Sequence, residues 1–254
     1  MSLTLTPLPG IPLIRPGDPL ADILLKAVDA SGITLQEGDI FVLAQKIVSK
    51  AEGRLVNMNQ VTASPEAVDL ALRTQKDPRF VELVLRESNQ VLRSRPGAII
   101  VEHKLGFVCA NAGIDHSNVE GGGVEGDWVL LLPENPDASA GRLRADLERK
   151  TGIGLGVQII DSHGRAWRNG VVGTSIGFSG IPGLVDMRGR PDLFGFRLRI
   201  TQIAAADELA AAASLVMGQA DEGTPAIHVR GFPYPLRDGS LTELIRPKDQ
   251  DMFR

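Results

Sequence analysis

Cysteine occurs once in this 254-residue chain, at Cys109. A single thiol supports neither a disulfide framework nor a thiolate zinc centre, and such sparing use fits a reducing compartment. The four histidines, His103, His116, His163 and His228, lack the H-E-x-x-H spacing that sets two imidazoles on one helix face, so metal binding through imidazole is not expected. There is no basic excess either. The net charge of −4 leaves no footprint for nucleic acid, although local Lys and Arg clusters still suit a small anion. The amino terminus, MSLTLTPLPG, has no charged region leading into an apolar one, as a signal peptide would. The uncharged stretch Gly170–Val185 falls short of the roughly 20 residues that a membrane span requires. A cytoplasmic protein with no membrane and no nucleic-acid partner is the expectation. No phosphate loop of the form G-x-x-x-x-G-K-S/T is present, so any nucleotide site must be of another design.

What is present is ordinary for a folded protein: 43% hydrophobic and 23% charged residues, in a chain long enough to bury a sizeable core. Helices are expected from Asp18-Pro19 to Gly32, from Ser64-Pro65 onward, over 77–93 after Asp77-Pro78, over 138–152, and over 207–218 with Asp207 as cap. Strand-like runs lie at 39–50, 97–110, 154–161, 171–178, 196–205 and 225–231. Strands come in adjacent pairs rather than in strict alternation with helices. This order predicts an α+β fold with largely antiparallel or mixed sheets packed against helices. Residues 1–254 read as one domain, with a composition shift near Pro133–Ala138 as the sole hint of two subdomains.

Two formal motif matches fail on physics. GGGVEG, residues 121–126, has the spacing of a dinucleotide loop, but DWVLLLPENP follows it and cannot form the helix whose amino end would face a pyrophosphate. GTSIG, residues 173–177, has the spacing of a nucleophile elbow, yet Gly180, Pro182 and Gly183 break any helix after it.

Four polar clusters stand at the ends of apolar runs, where scaffolded sites are built. Asp115 with Asn118 is the first, and DSHGR, residues 161–165, is the second. A carboxylate beside a hydroxyl at a strand end suits a hard cation such as Mg2+ or Mn2+. QKIVSKAEGR, residues 45–54, is the third; if the strand continues through it, Lys46 and Lys50 share one face and call for an anion between them. MGQADEGTP, residues 217–225, is the fourth. Each also has a plain reading, as a turn residue, a cap or a solvated lysine. Taken alone, the clusters support no more than divalent-metal phosphate chemistry.

Read together, LPGIPLI (8–14), VSKAEGR (48–54), CANAGIDHSNVE (109–120), DSHGRAWRNGVVG (161–173), GIPGLVDMRGRPDLFG (180–195) and MGQADEGTPAIHVRG (217–231) resemble the coenzyme F-420-0:L-glutamate ligases, the F-420:γ-glutamyl ligases. The resemblance implies a GTP-dependent amide ligase that adds L-glutamate to the lactyl carboxylate of the deazaflavin precursor F-420-0, then further γ-linked glutamates. It also implies two divalent cations, Mn2+ or Mg2+, an assisting K+, and an intertwined homodimer of mixed α/β fold. By motif, Asp115 and Asp161 look like metal ligands, with Ser162 and Gln219 at the second cation. Ile11, Pro12, Leu13, Ile14, Gln45, Lys46, Lys50 and Asn118 look like the GTP site, together with Met217, Gly218, Gln219, Ala220, Asp221, Glu222, Gly223 and Thr224. Lys50 is assigned a catalytic role beside Asp115 and Asp161. Gln45-Lys46 stand where some relatives carry small hydroxyl residues, and Gln219 where some carry a carboxylate. The flavin-dependent reductase domain that continues some bacterial relatives is not expected in a chain ending at Arg254. Two alternatives to the ligase are a GTP- and metal-binding module without catalysis and a metal-dependent nucleotide or phosphoester hydrolase.

Overall fold

Three strands that become the middle of a sheet are recognisable because they are largely apolar without strict alternation, as expected when both faces are covered. In the computed structural model, which describes residues 2–119 and 126–252, the strands are β1 Thr4–Pro7, β2 Ile40–Ala44, β3 Leu55–Asn57, β4 Ser88–Arg95, β5 Ala98–His103, β6 Val108–Ala110, β7 Trp128–Leu130, β8 Gly156–Arg165, β9 Arg168–Ser179, β10 Val185–Asp186, β11 Gln202–Ile203 and β12 Ala226–Arg230. The helices are α1 Leu20–Ala30, α2 Gln45–Ala51, α3 Pro65–Thr74, α4 Pro78–Arg86, α5 Pro136–Thr151 and α6 Ala205–Met217.

The main sheet runs β1-β12-β2-β8-β9. Its pairs are antiparallel except β2 with β8, which run parallel with Ile40 opposite Gly156. Alternation along β2 sends Phe41 and Leu43 to one face, where they pack with Leu24 and Val28 of α1 and Leu143 and Leu147 of α5. Ile40 and Val42 go to the other face, against Leu209, Ala210 and Ala213 of α6. A second core lies in the chain between β2 and β8. There the antiparallel sheet β4-β5-β6 contributes Ile99 and Val101, packed with Leu70 of α3, Val81 and Val84 of α4, and Val129 of β7. The fold is thus mixed α/β with several sheets, as the strand order implies.

Four local expectations need correction. The apolar run at 39–50 is a strand only to Ala44; from Gln45 the chain turns into α2, its first turn bridged by Ser49 Oγ donating to Gln45 Oε1 at 2.8 Å. Lys46 and Lys50 therefore share a face by the helical repeat, not by strand alternation. The helix begun at Pro78 stops at Arg86, because Ser88 Oγ donates to the Val84 carbonyl at 2.5 Å and the following residues pair with β5. The strand expected at 196–205 is reduced to Gln202–Ile203. Asp207 does not cap α6, which begins two residues earlier; its Oδ1 instead accepts from Ser175 N at 3.0 Å, tying the helix to β9. Ser64 and Asp77 do cap α3 and α4, each accepting from a backbone N–H of the first turn.

Both rejected motifs have structural explanations. GTSIG lies inside β9 with Ser175 buried. Its glycines are contact points: a Cβ on Gly173 would meet Ser214 and the Ala210 carbonyl of α6, and one on Gly177 would meet Pro136 of α5. Most of GGGVEG falls at 120–125, outside the described residues, but Gly126 and Asp127 lead into strand β7 rather than a helix. Among the described residues, no helix is long and apolar enough to cross a membrane.

Candidate active site

The parallel pair β2/β8 sets the position of the site. β2 ends at Ala44, opposite Ile160, so Gln45 and Asp161 lie side by side where the parallel pairing of β2 with β8 ends. A crevice at that end is where open α/β sheets place their ligands. Three other segments reach the same end. After β6, Asn111, Ala112 and Gly113 all have positive φ and swing the chain around. Asp115 then pairs with Leu130 by two backbone hydrogen bonds of 3.0 and 2.8 Å. After α6, the loop 218–225 returns to β12, and Pro225 O accepts from Ala44 N at 2.8 Å. After β1, Leu8 N donates to Ala226 O at 2.9 Å.

Asp115 is the hub. Gln45 Nε2 donates to its Oδ2 at 2.6 Å, and Lys46 Nζ lies 3.3 Å from Oδ1. Lys46 also donates to the carbonyl and hydroxyl of Ser117, both at 3.2 Å. One helical turn on, Lys50 Nζ donates to Asn118 O at 2.8 Å. Burial pushes the Asp115 carboxyl up to about 6 and the nearby Asp161 charge adds to this, while the Lys46 ammonium and Gln45 amide oppose it. Two carboxylates near enough to disturb one another form a pocket of negative potential with two ammonium groups at its rim.

Asp161 and Ser162 are consecutive in a strand, so they point to opposite faces of β8. Asp161 faces Asp115, with His163 Nε2 lying 3.0 Å from its Oδ2. The His163 ring is 5.2 Å from that of Phe107, which stacks at 5.2 Å on His103. Ser162 Oγ donates to Gln219 Oε1 at 2.8 Å, and Gln219 Nε2 donates to Ser214 Oγ at 2.8 Å. Cys109 is a bystander: burial, then the Asp161 charge, pushes its thiol up to about 12, which rules out a thiolate nucleophile.

Most of the residues expected at the site converge. Asp115, Gln45 and Lys46 form one hydrogen-bonded group, and Lys50 bonds to Asn118 beside it. Asn118 Nδ2 reaches Ala220 O at 3.3 Å and so joins it to the 217–224 loop. Within that loop Thr224 Oγ1 donates to Met217 O at 2.9 Å, Ala220 N donates to Glu222 Oε2 at 2.8 Å, and Gly218 has φ 77°. Ile11 and Ile14 turn into the core, leaving Pro12 and Leu13 exposed. Among the described residues, no three His, Cys, Asp or Glu side chains converge as a metal-binding group. The pair Asp115/Asp161 nonetheless suits an ion that takes one or two protein carboxylates and completes its shell with phosphate oxygens and water. Ser162 and Gln219 are neutral and bonded to each other, which makes them a poorer donor set. Ser49, Ser117 and His163 escaped sequence reasoning. His163 carried a usable signal, since it follows Asp161 by two residues and must share its face in a strand.

Comparisons with known proteins identify the family. The family model described as F420-0:Gamma-glutamyl ligase matches residues 10–231. The coenzyme F420:L-glutamate ligase of Methanothermobacter thermautotrophicus is 46% identical over 256 residues, covering 100% of both chains. That of Methanopyrus kandleri is 46% identical, covering 100% of this chain and 98% of its own. That of Archaeoglobus fulgidus is 41% identical, covering 100% and 97%. None of these matches favours the inactive binding module or the hydrolase. From end to end, then, the chain belongs to the F420-0:gamma-glutamyl ligase family.

Proposed function

We propose that this ligase joins L-glutamate to the deazaflavin F-420-0 at the Asp115–Asp161 crevice, with GTP as the phosphoryl donor. Support comes from one juxtaposition: two carboxylates close enough to repel one another, with Lys46 on Asp115 and Lys50 one helical turn on, where the parallel pairing of β2 with β8 ends. A carboxylate is a poor acyl donor. Its oxygen therefore first bonds to the γ-phosphorus of GTP as the bond to the β-phosphate oxygen breaks, giving an acyl phosphate and GDP. The α-amine of glutamate next attacks the acyl carbon, inorganic phosphate leaves, and the amine proton passes to solvent. Repetition at the terminal γ-carboxylate gives further γ-linked glutamates.

The chain's own groups divide this work. Lys46 and Lys50 meet the anionic phosphates from one face of α2, with Lys50 beside the transferred group. Gln45 holds Asp115 in place, and Asn118 with the 217–224 loop and the exposed Pro12-Leu13 edge encloses the nucleotide. Asp115, Asp161, Ser162 and Gln219 would hold two divalent cations, Mn2+ or Mg2+, with K+ as an accessory ion; bound there, they neutralise phosphoryl charge. A second copy of the chain would cover the segment between β10 and β11, where Leu193 is 97% and Phe194 95% exposed, giving a homodimer.

The test is reconstitution with F-420-0, GTP, Mn2+ and glutamate, read by mass spectrometry. Glutamyl increments with stoichiometric GDP are expected, and hydroxylamine should divert the intermediate to a hydroxamate. Glutamyl product formed equally well without GTP would overturn the phosphoryl-donor assignment.

A further inference from the structure

Past Ile160, β8 no longer has β2 as a neighbour, and Asp161 to Arg165 pair with β9 alone. The two strands leave the sheet as a ribbon. At its tip the turn Ala166-Trp167 is flanked by Arg165 and Arg168, which stand directly opposite one another. The tip has three features that internal packing does not explain. Trp167 is 90% exposed. It has φ 63°, a left-handed turn position that ordinarily falls to glycine or asparagine. Like charges opposed across a ladder repel, and neither guanidinium has an acidic partner among the described residues. An exposed indole held at a strained position between two unpaired guanidiniums is complementary to a planar ring bearing negative charge.

The ribbon also connects this tip to the chemistry. Asp161, His163 and Arg165 share one face by the two-residue period. At about 3.3 Å per residue, Arg165 sits roughly 13 Å along the strand from Asp161. A long acceptor can therefore lie along the ribbon with its reacting carboxylate at the base and its ring at the tip.

We propose that Arg165, Trp167 and Arg168 form the subsite for the planar heteroaromatic end of the acceptor. The deazaflavin stacks on the Trp167 indole, and the two guanidiniums take the acceptor's anionic groups by charge-assisted hydrogen bonds. This rests on the Asp115–Asp161 crevice being the place of ligation.

The test uses Trp167→Ala, Trp167→Phe and the double variant Arg165→Gln with Arg168→Gln. Trp167→Ala is expected to raise KM for F-420-0 by about tenfold, the order of one lost stacking contact, with KM for GTP and glutamate unmoved. Trp167→Phe should recover most of the loss, and the arginine variant should raise the same KM. Binding is read apart from turnover by adding F-420-0 alone and following indole fluorescence. Wild type should be quenched more than Trp167→Phe, in which Trp128 is the remaining indole. Absence of that difference, equal changes in all three KM values, or dissociation of Trp167→Ala into a smaller species in sedimentation would each overturn the subsite. Quenching specific to Trp167 in a protein that forms no glutamyl product would instead overturn the functional reading and leave the subsite standing.

Discussion

Gln45 and Asp115 lie 70 residues apart in the chain, yet the amide of one donates to the carboxylate of the other at 2.6 Å. Gln45 is 1% exposed, and its amide oxygen in turn accepts from Ser49 Oγ, so both ends of the amide are occupied. Gln45→Leu would leave Asp115 with Lys46 as its side-chain partner and orphan the Ser49 hydroxyl. Leaving such groups unpaired costs about 1–3 kcal/mol each. Calorimetry should show a lower Tm, and a Mn2+ titration should show weaker binding. An unchanged titration would mean that Gln45 does not position Asp115.

Asp115 makes the protein's stability depend on pH with a definite sign. Its folded value of about 6 lies above the ordinary 3.8. Its contribution is fully present below about pH 4 and is lost as pH rises through 6, because the unfolded chain gives up the proton first. Asp115→Asn should therefore raise the Tm of the metal-free protein at pH 7.5 by an amount equivalent to at most about 3 kcal/mol, and by nothing at pH 3.5. The same variant should have no ligase activity. Scans in chelator at both pH values decide it; a lower Tm at pH 7.5 would contradict this account.

Asp161→Ala separates the site from the scaffold. Asp161 lies beyond the end of β2 and is not part of the apolar core, so far-UV circular dichroism and Tm should stay close to wild type while turnover falls below detection. Retained turnover would remove Asp161 from the site.

Gly177 tests the packing of α5 on β9. A Cβ there would meet the side chain and backbone of Pro136 at the first turn of the helix, and backbone cannot move aside as a flexible side chain can. Gly177→Val should destabilise by about 1–3 kcal/mol, the usual cost of overpacking, visible as a lower urea midpoint. An unaltered midpoint would show that α5 can shift.

The segment between β10 and β11 tests assembly. Phe194→Ser with Leu193→Ser removes two large apolar side chains that this chain leaves uncovered. If this segment carries the proposed homodimer, sedimentation equilibrium should show a dimeric wild type and a variant shifted toward monomer. A monomeric wild type would dispose of the homodimer.

How much of this was readable in the residues depends on range. β12 and the first half of β8 were visible because covered strands are largely apolar, broken here only by His228 and Gln158, and α3 and α4 because Ser-Pro and Asp-Pro announce helix starts. α2 was hidden: seven residues make fewer than two turns, too few for a helical period to emerge beside the apolar Ile47-Val48. β4 was hidden by a helix-forming sequence that only pairing with β5 turns into strand. At the site, Asp115 and Asp161 stood out singly because each follows an apolar run. Their meeting, and Gln45 clasping Asp115, follow from strand pairing across more than a hundred residues, which no local pattern encodes.

The parallel seam between β2 and β8 has one further effect. Everything from α2 to α5, including the whole second core and Asp115 itself, is threaded between two strands that end up as neighbours. Closing so large a loop is entropically slow and comes late in folding. A nascent chain therefore has no Asp115–Asp161 pair until that excursion has docked, and the crevice between them is a signature of completed assembly rather than of any one part.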